Sequence, residues 1–219
     1  MKKTTLKFLK PFCDGLLVNS ANDFYVAQTS VVINASDIDI SINGSTCAPW
    51  TSVVCENVTI SGHQLIVIPI NHDSPELSKY IHAEKVSQDW QNVYDVFGIE
   101  SLKNVPLWRS KKDYSIPGVE LNLWYAPEGT NCGIHNTHDF LELHTQVHGL
   151  GIMQKFTGEG YETLYQNVFM PLGLTHEPFC DEGLVYPWHQ YKCVTDCIWL
   201  AIEFHDLEKM PSSLKFSTL

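Results

Sequence analysis

The chain has 219 residues, enough for one large domain or two small ones, and its 44% apolar content with ten Phe, nine Tyr and six Trp excludes a disordered polypeptide. A formal charge of −11, from 14 Lys+Arg against 25 Asp+Glu, leaves no clustered cations for phosphate. Nucleic acid and anionic membrane surfaces are therefore excluded as partners, and a small molecule is the expected ligand.

The first ten residues are basic but lack an apolar core, because Lys7 and Lys10 interrupt them and Pro11 follows. They do not read as a secretion signal. No segment approaches the ~20 apolar residues of a membrane span, so a cytoplasmic location is expected. Seven cysteines at irregular spacings, none in Cys-x2-Cys, argue against a disulfide framework. Cys193 and Cys197 read as two buried free thiols on a strand.

Short apolar runs follow at Leu16–Val18, Phe24–Ala27, Val31–Ile33 and Leu65–Ile68. Asp37 to Ile42 alternates, the mark of a strand with one wet face. Asn43-Gly44 and Ser61-Gly62 are turn signals. From residue 81 to 97, Ile81, Val86, Trp90, Val93, Tyr94 and Phe97 recur at helical spacing, and Gly98 suits a C-terminal cap. Residues 102–117 read as a loop carrying Arg109, Lys111 and Lys112. They join an N-terminal β-rich region, 1–112, to a second unit, 113–219.

Strands return at Val119–Tyr125, Phe140–Val147, Gly151–Phe156, Glu162–Met170 and Cys193–Phe204. The fold class is all-β, a sandwich or barrel with one or two short helices. On the strand through residue 140, His138, Phe140, Glu142 and His144 share one face, and both faces carry apolar residues. Titratable groups directed into a β interior are costly unless paired or bound to metal. Two imidazoles and a carboxylate are also what a non-heme divalent metal site uses.

His138-x3-Glu142-x6-Gly149 and Pro171-x-Gly173-x2-His176 resemble the two motifs of the cupin superfamily. The resemblance covers roughly residues 119–204. It implies a jelly-roll barrel, a double-stranded β-helix, around one divalent metal. It places His138, Glu142 and His176 at ligand positions. The family's further histidine, two residues before His138, is replaced by Asn136. His135 then either reaches the metal through a bulge or leaves a three-ligand site. The family's asparagine after the second motif is replaced by Cys180. The N-terminal half is either a degenerate second cupin half or a set of strands that wrap the barrel or pair between subunits. A homodimer is a family expectation.

The chemistry so implied is that of a metal-dependent enzyme, an Fe(II) oxygenase first. The alternatives are a redox-neutral isomerase or lyase using Zn, Mn or Ni, and a metal-free small-molecule binder. His144, Gln154, His189 and Tyr191 are the expected polar contacts to substrate. His148 and His205 read as solvated.

Overall fold

The computed structural model describes residues 1–10, 12–70, 90–181, 183–206, 212 and 214. The N-terminal region forms one antiparallel sheet of β1 (Lys2–Thr5), β2 (Leu16–Val26), β3 (Ser30–Asn34), β4 (Ile40–Ile42), β5 (Ser45–Cys47), β6 (Ser52–Cys55) and β7 (Val58–Pro69). Its order is β1-β2-β7-β3-β6, with β4 on β7 and β5 on β4. The two apolar runs after residue 15 belong to one strand, β2, whose register shifts between Ala21 and Phe24. That bulge bends the strand and lets both runs pair with β7. Asn43-Gly44 turns β4 into β5 as its sequence predicts. Ser61-Gly62 is no turn and lies inside β7. A Cβ at residue 62 would sit 2.4 Å from the Ile40 side chain, so glycine serves close packing there.

Residues 71–89, with most of the predicted helix, lie outside the described residues. The remainder of that segment splits into β8 (Trp90–Asn92) and helix α1 (Val93–Phe97). Asn92 caps α1 through its side chain, and the Gly98 N–H closes on Tyr94 O, as the glycine predicts. The predicted loop contains β9 (Trp108–Ser110), which pairs with β8 and with β10 (Glu120–Ala126). Three residues after Pro106 are too short a strand to show a period.

The remaining strands are β11 (Leu141–His148), β12 (Gly151–Phe156), β13 (Leu164–Met170), β14 (Trp188–Cys193) and β15 (Cys197–Phe204). The predicted strand from 193 to 204 thus breaks at Val194–Asp196, where the chain passes from β14 in one sheet to β15 in the other. Cys193 and Cys197 flank the break, buried and free. One sheet runs β8-β9-β10-β15-β11, and a bridge from Thr145 to Thr175 adds a further segment beyond β11. The other runs β13-β12-β14, extended past β14 by bridges Asn131–Lys192 and His135–His189. Counted from β10, the order is first-eighth-third-sixth in one sheet and second-seventh-fourth-fifth in the other. That is the connectivity of an eight-stranded jelly roll.

Alternation along three neighbouring strands gives the β10-β15-β11 sheet two unlike faces. Leu121, Leu123 and Tyr125, then Ile198, Leu200 and Ile202, then Leu141 and Leu143 face outward. They join Leu17, Val31, Ile33, Ile66 and Ile68 of the N-terminal sheet in one buried cluster. Each such side chain contributes about 1.5–3 kcal/mol on burial. The other face of the N-terminal sheet has its own cluster around Val18, Val32, Ile60 and Leu65. The two clusters explain why Val31-Val32-Ile33 is apolar without alternation. No described helix is long and apolar enough to cross a membrane.

Gly149 joins β11 to β12 at φ +76°, and a Cβ there would lie 1.9 Å from Asp196 O. Gly149→Ala is expected to lower unfolding free energy by about 2 kcal/mol or more, read by urea denaturation.

Candidate metal centre

The inner face of the same sheet is polar. Cross-strand register places Glu120, Glu203 and Glu142 in one row, Asn122, Ala201 and His144 in the next, and Trp124, Trp199 and Gln146 in a third. These rows form the floor of a cavity of about 470 Å³, to which Glu142, His144, Trp124, Trp199 and Glu203 contribute. The opposite wall includes His135, His138, Met153, His189 and Tyr191, and α1 with Leu102 closes one side.

Three imidazoles meet in this cavity. His138 Nε2 lies 3.0 Å from His135 Nε2 and 3.1 Å from His189 Nε2. Backbone pairing brings two of them together: His135 N–H donates to His189 O and His189 N–H to His135 O. Their Nδ1 atoms face carbonyl oxygens, His135 that of Gly133 at 3.0 Å and His189 that of Pro187 at 2.8 Å. Each Nδ1 donates a proton there, so both Nε2 atoms present lone pairs to His138. Such lone pairs face each other stably only around a proton or a cation. Backbone anchoring of the far ring nitrogen is how metal-binding histidines are oriented.

Glu142 lines the same cavity but lies outside the three-histidine group. Its Oε1 accepts from His144 Nε2 at 3.0 Å, and Oε2 has no protein partner among the described residues. Burial acts to raise its pKa, but His144, followed by His138 and His189, outweighs burial and holds it well below the usual carboxylate range. Tyr186 fixes the strand end beside it: the hydroxyl accepts from Glu142 N–H at 2.9 Å and donates to Phe140 O at 3.1 Å. Burial pushes His138 down to about 4 and His189 down to about 3, so both rings are neutral at physiological pH. Clustered imidazoles with an anionic carboxylate in the same cavity are donor types that a divalent cation takes.

His176 stands apart from this group. Its Nε2 accepts from the His144 N–H at 3.0 Å and its Nδ1 donates to Glu177 O at 2.7 Å, so both ring nitrogens are spent on backbone. The motif histidine ties its segment to β11, and His189, expected among the substrate contacts, occupies the metal group instead. The reason is the stretch from Glu177 to Pro187, which separates the motif from the strand that enters the cavity. His135 reaches His138 despite the displaced spacing, because its bridge to His189 fixes its backbone.

His144 and Tyr191 line the cavity, as expected of contact residues. His144 Nδ1 is buried without a partner. The Tyr191 hydroxyl is committed to Gln146, and its ring stacks on Trp199 at 4.1 Å. Gln154 bonds to Gln190 and Asn167 and is not part of the cavity wall. His148 is half-buried at the end of β11 rather than solvated.

Four wall residues were not anticipated as site residues: Arg109, Trp124, Glu203 and His205. Alternation in Glu120-Leu121-Asn122-Leu123-Trp124 and the lone acid in the apolar run before Phe204 were the available signals. Glu203 accepts from Asn122 Nδ2 at 3.0 Å and lies 3.1 Å from His205 Nε2. Burial and then the charge of Glu142 push it up to about 8. Adjacent carboxylates in one row cannot all ionise cheaply, so Glu203 keeps the proton. Glu120, Glu203 and His205 form a second group of ligand-type atoms, but Lys112 and Tyr114 already occupy Glu120.

No protein-family model and no curated protein matches the sequence. Among solved structures, the chain is similar to a cupin 2 conserved barrel domain protein from Leptotrichia buccalis. Identity is 10%, coverage 92% of this chain and 88% of that one, and TM-score 0.35. It is also similar to KdgF from Halomonas sp., at 14% identity, 56% and 90% coverage and TM-score 0.38. A third is an RmlC-like cupin protein from Desulfovibrio desulfuricans, at 15% identity, 43% and 79% coverage and TM-score 0.32. The strand order defines an eight-stranded jelly roll with titratable side chains directed inward.

The buried imidazoles make the metal-free protein acid-sensitive. His138, His176 and His189 titrate at about 4, 3 and 3 against an ordinary 6.5. The unfolded chain therefore binds more protons below pH 6.5, and stability falls as pH drops from there toward 3. Each imidazole contributes up to about 1.4 kcal/mol per pH unit in that window. Urea midpoints of chelator-treated protein are expected to fall steeply between pH 6 and 4, and to fall again by a smaller amount as pH rises from 7 through 8, where folded Glu203 gives up a proton that the unfolded chain has already lost.

Proposed function

We propose that the chain is a metal-dependent cupin enzyme acting on a small metabolite, with His135, His138, His189 and Glu142 holding the metal. The observation that carries this reading is the convergence of three Nε2 atoms, two of them with Nδ1 anchored on backbone carbonyls. Fe(II) is the favoured metal, with Mn, Ni and Zn as alternatives. Imidazole and carboxylate donors would suit any of these metals.

Such an ion supplies an open coordination position that binds and polarises substrate or dioxygen. The protein groups do the rest. Glu142 neutralises the cation and is itself held by His144. Trp199, Met153 and Phe140 exclude water from the reacting end. Glu203 keeps a proton within the cavity and meets His205, which is half exposed and exchanges with solvent. An oxygenase is the first reading. A redox-neutral isomerase or lyase uses the same parts, with Glu203 as proton donor, and differs in being indifferent to dioxygen.

Elemental analysis of protein purified without chelators tests the centre. About one divalent ion per chain is expected for the wild type and for His176→Ala. His189→Ala and His138→Ala should retain less than a tenth of it. Wild-type protein with only trace metal, or loss in His176→Ala with retention in His189→Ala, would overturn the assignment.

A further inference from the structure

The end of the cavity formed by β9 holds a cation that the metal centre does not use. Arg109 faces Trp124 across β9 and β10, extending the row Trp124–Trp199–Gln146 by one strand. Its guanidinium carbon lies 4.5 Å from the centre of the Phe97 ring, and its Nε is buried with no hydrogen-bond partner. No carboxylate among the described residues pairs with it. Trp124 Nε1, on the next strand of the row, is likewise buried without a partner. Two unspent N–H donors therefore sit on adjacent strands in the wall of one cavity.

The other charged groups nearby are committed. Lys112 is paired with Glu120, Glu142 with His144, and Glu203 with Asn122 and His205. A guanidinium Nε and an indole N–H buried with no acceptors are costly unless a ligand supplies them. A planar fork of donors flanked by aromatic rings matches a carboxylate. The chain's net charge of −11 gives anions no general attraction, so a dedicated cation is needed to hold one.

We propose that Arg109, assisted by Trp124 Nε1, anchors the carboxylate of the substrate. This assignment, which rests on the metal-centre reading for the histidine end, makes the substrate a carboxylic acid with an apolar or aromatic body. β9 and β11 are separated by β10 and β15, three strand steps or roughly 14 Å. A chain- or ring-bearing acid lying along Trp124 and Trp199 spans that distance from Arg109 toward β11.

The probes are 3-phenylpropionate and hexanoate with their neutral amides, titrated calorimetrically into Mn(II)-loaded and chelator-treated protein. At least one acid is expected to bind tenfold or more tighter than its amide in both forms. Arg109→Gln should bind acid and amide alike while keeping its metal content, and Arg109→Lys should recover part of the preference. Equal binding of acid and amide, no binding of either acid, or a preference surviving in Arg109→Gln would overturn the proposal. Elemental analysis separates the two readings. A chain without metal that still prefers the acid keeps the carboxylate anchor and refutes the metal centre. A metal-loaded chain indifferent to the charge does the reverse.

Discussion

A carboxylate at the middle of a β barrel governs this structure. Glu142 is buried, and an ionised carboxyl away from water is tolerated only among compensating groups. His144 supplies one on the same strand, two residues on, where the side-chain period of two brings it to the same face. His138, from the segment before β11, and His189, from β14 of the opposite sheet, stand nearby. Around that charge the rest is arranged: Glu203, next in the row, keeps its proton because Glu142 does not. Burial keeps His138 and His189 neutral, and the carbonyls that face the Nδ1 atoms of His135 and His189 direct those two rings inward.

A polar interior demands an apolar exterior. The β10-β15-β11 sheet has reversed the usual arrangement of a small barrel, with titratable rows inside and aliphatic rows outside. That outer face would be a large exposed apolar patch on an isolated barrel. The N-terminal sheet covers it, and the shared cluster running from Leu17 and Val31 to Leu121 and Ile202 holds the two halves together. Ser52, on edge strand β6, bonds to Gly173 O and Thr175 Oγ1 at 2.6 Å each. The N-terminal region thus touches the segment that carries the second motif.

Much of the fold was legible along the chain. The alternation of Val119–Tyr125, the apolar run at Leu65–Ile68 and the turn at Asn43-Gly44 each map to the expected element. Residues whose role depends on partners distant in sequence were misjudged. Gly62 looks like a turn but makes room for Ile40. Arg109 looks like a solvated linker residue but lines a cavity, because three residues of β9 pair with β10.

The sequence by itself determined that Glu142 and His144 enter a β interior together, since spacing along one strand sets which side chains share a face. Strand periods also determined an all-β sandwich or barrel, and the motif spacing supplied the resemblance to one class of barrel. Which histidines complete the group was decided only by tertiary structure. His176 has the motif's spacing, yet both its nitrogens are consumed by backbone. His189 has no motif, yet a pair of hydrogen bonds to His135 carries it to the centre. Contacts across sheets depend on strand pairing between residues more than fifty apart, and no local pattern in the chain records them.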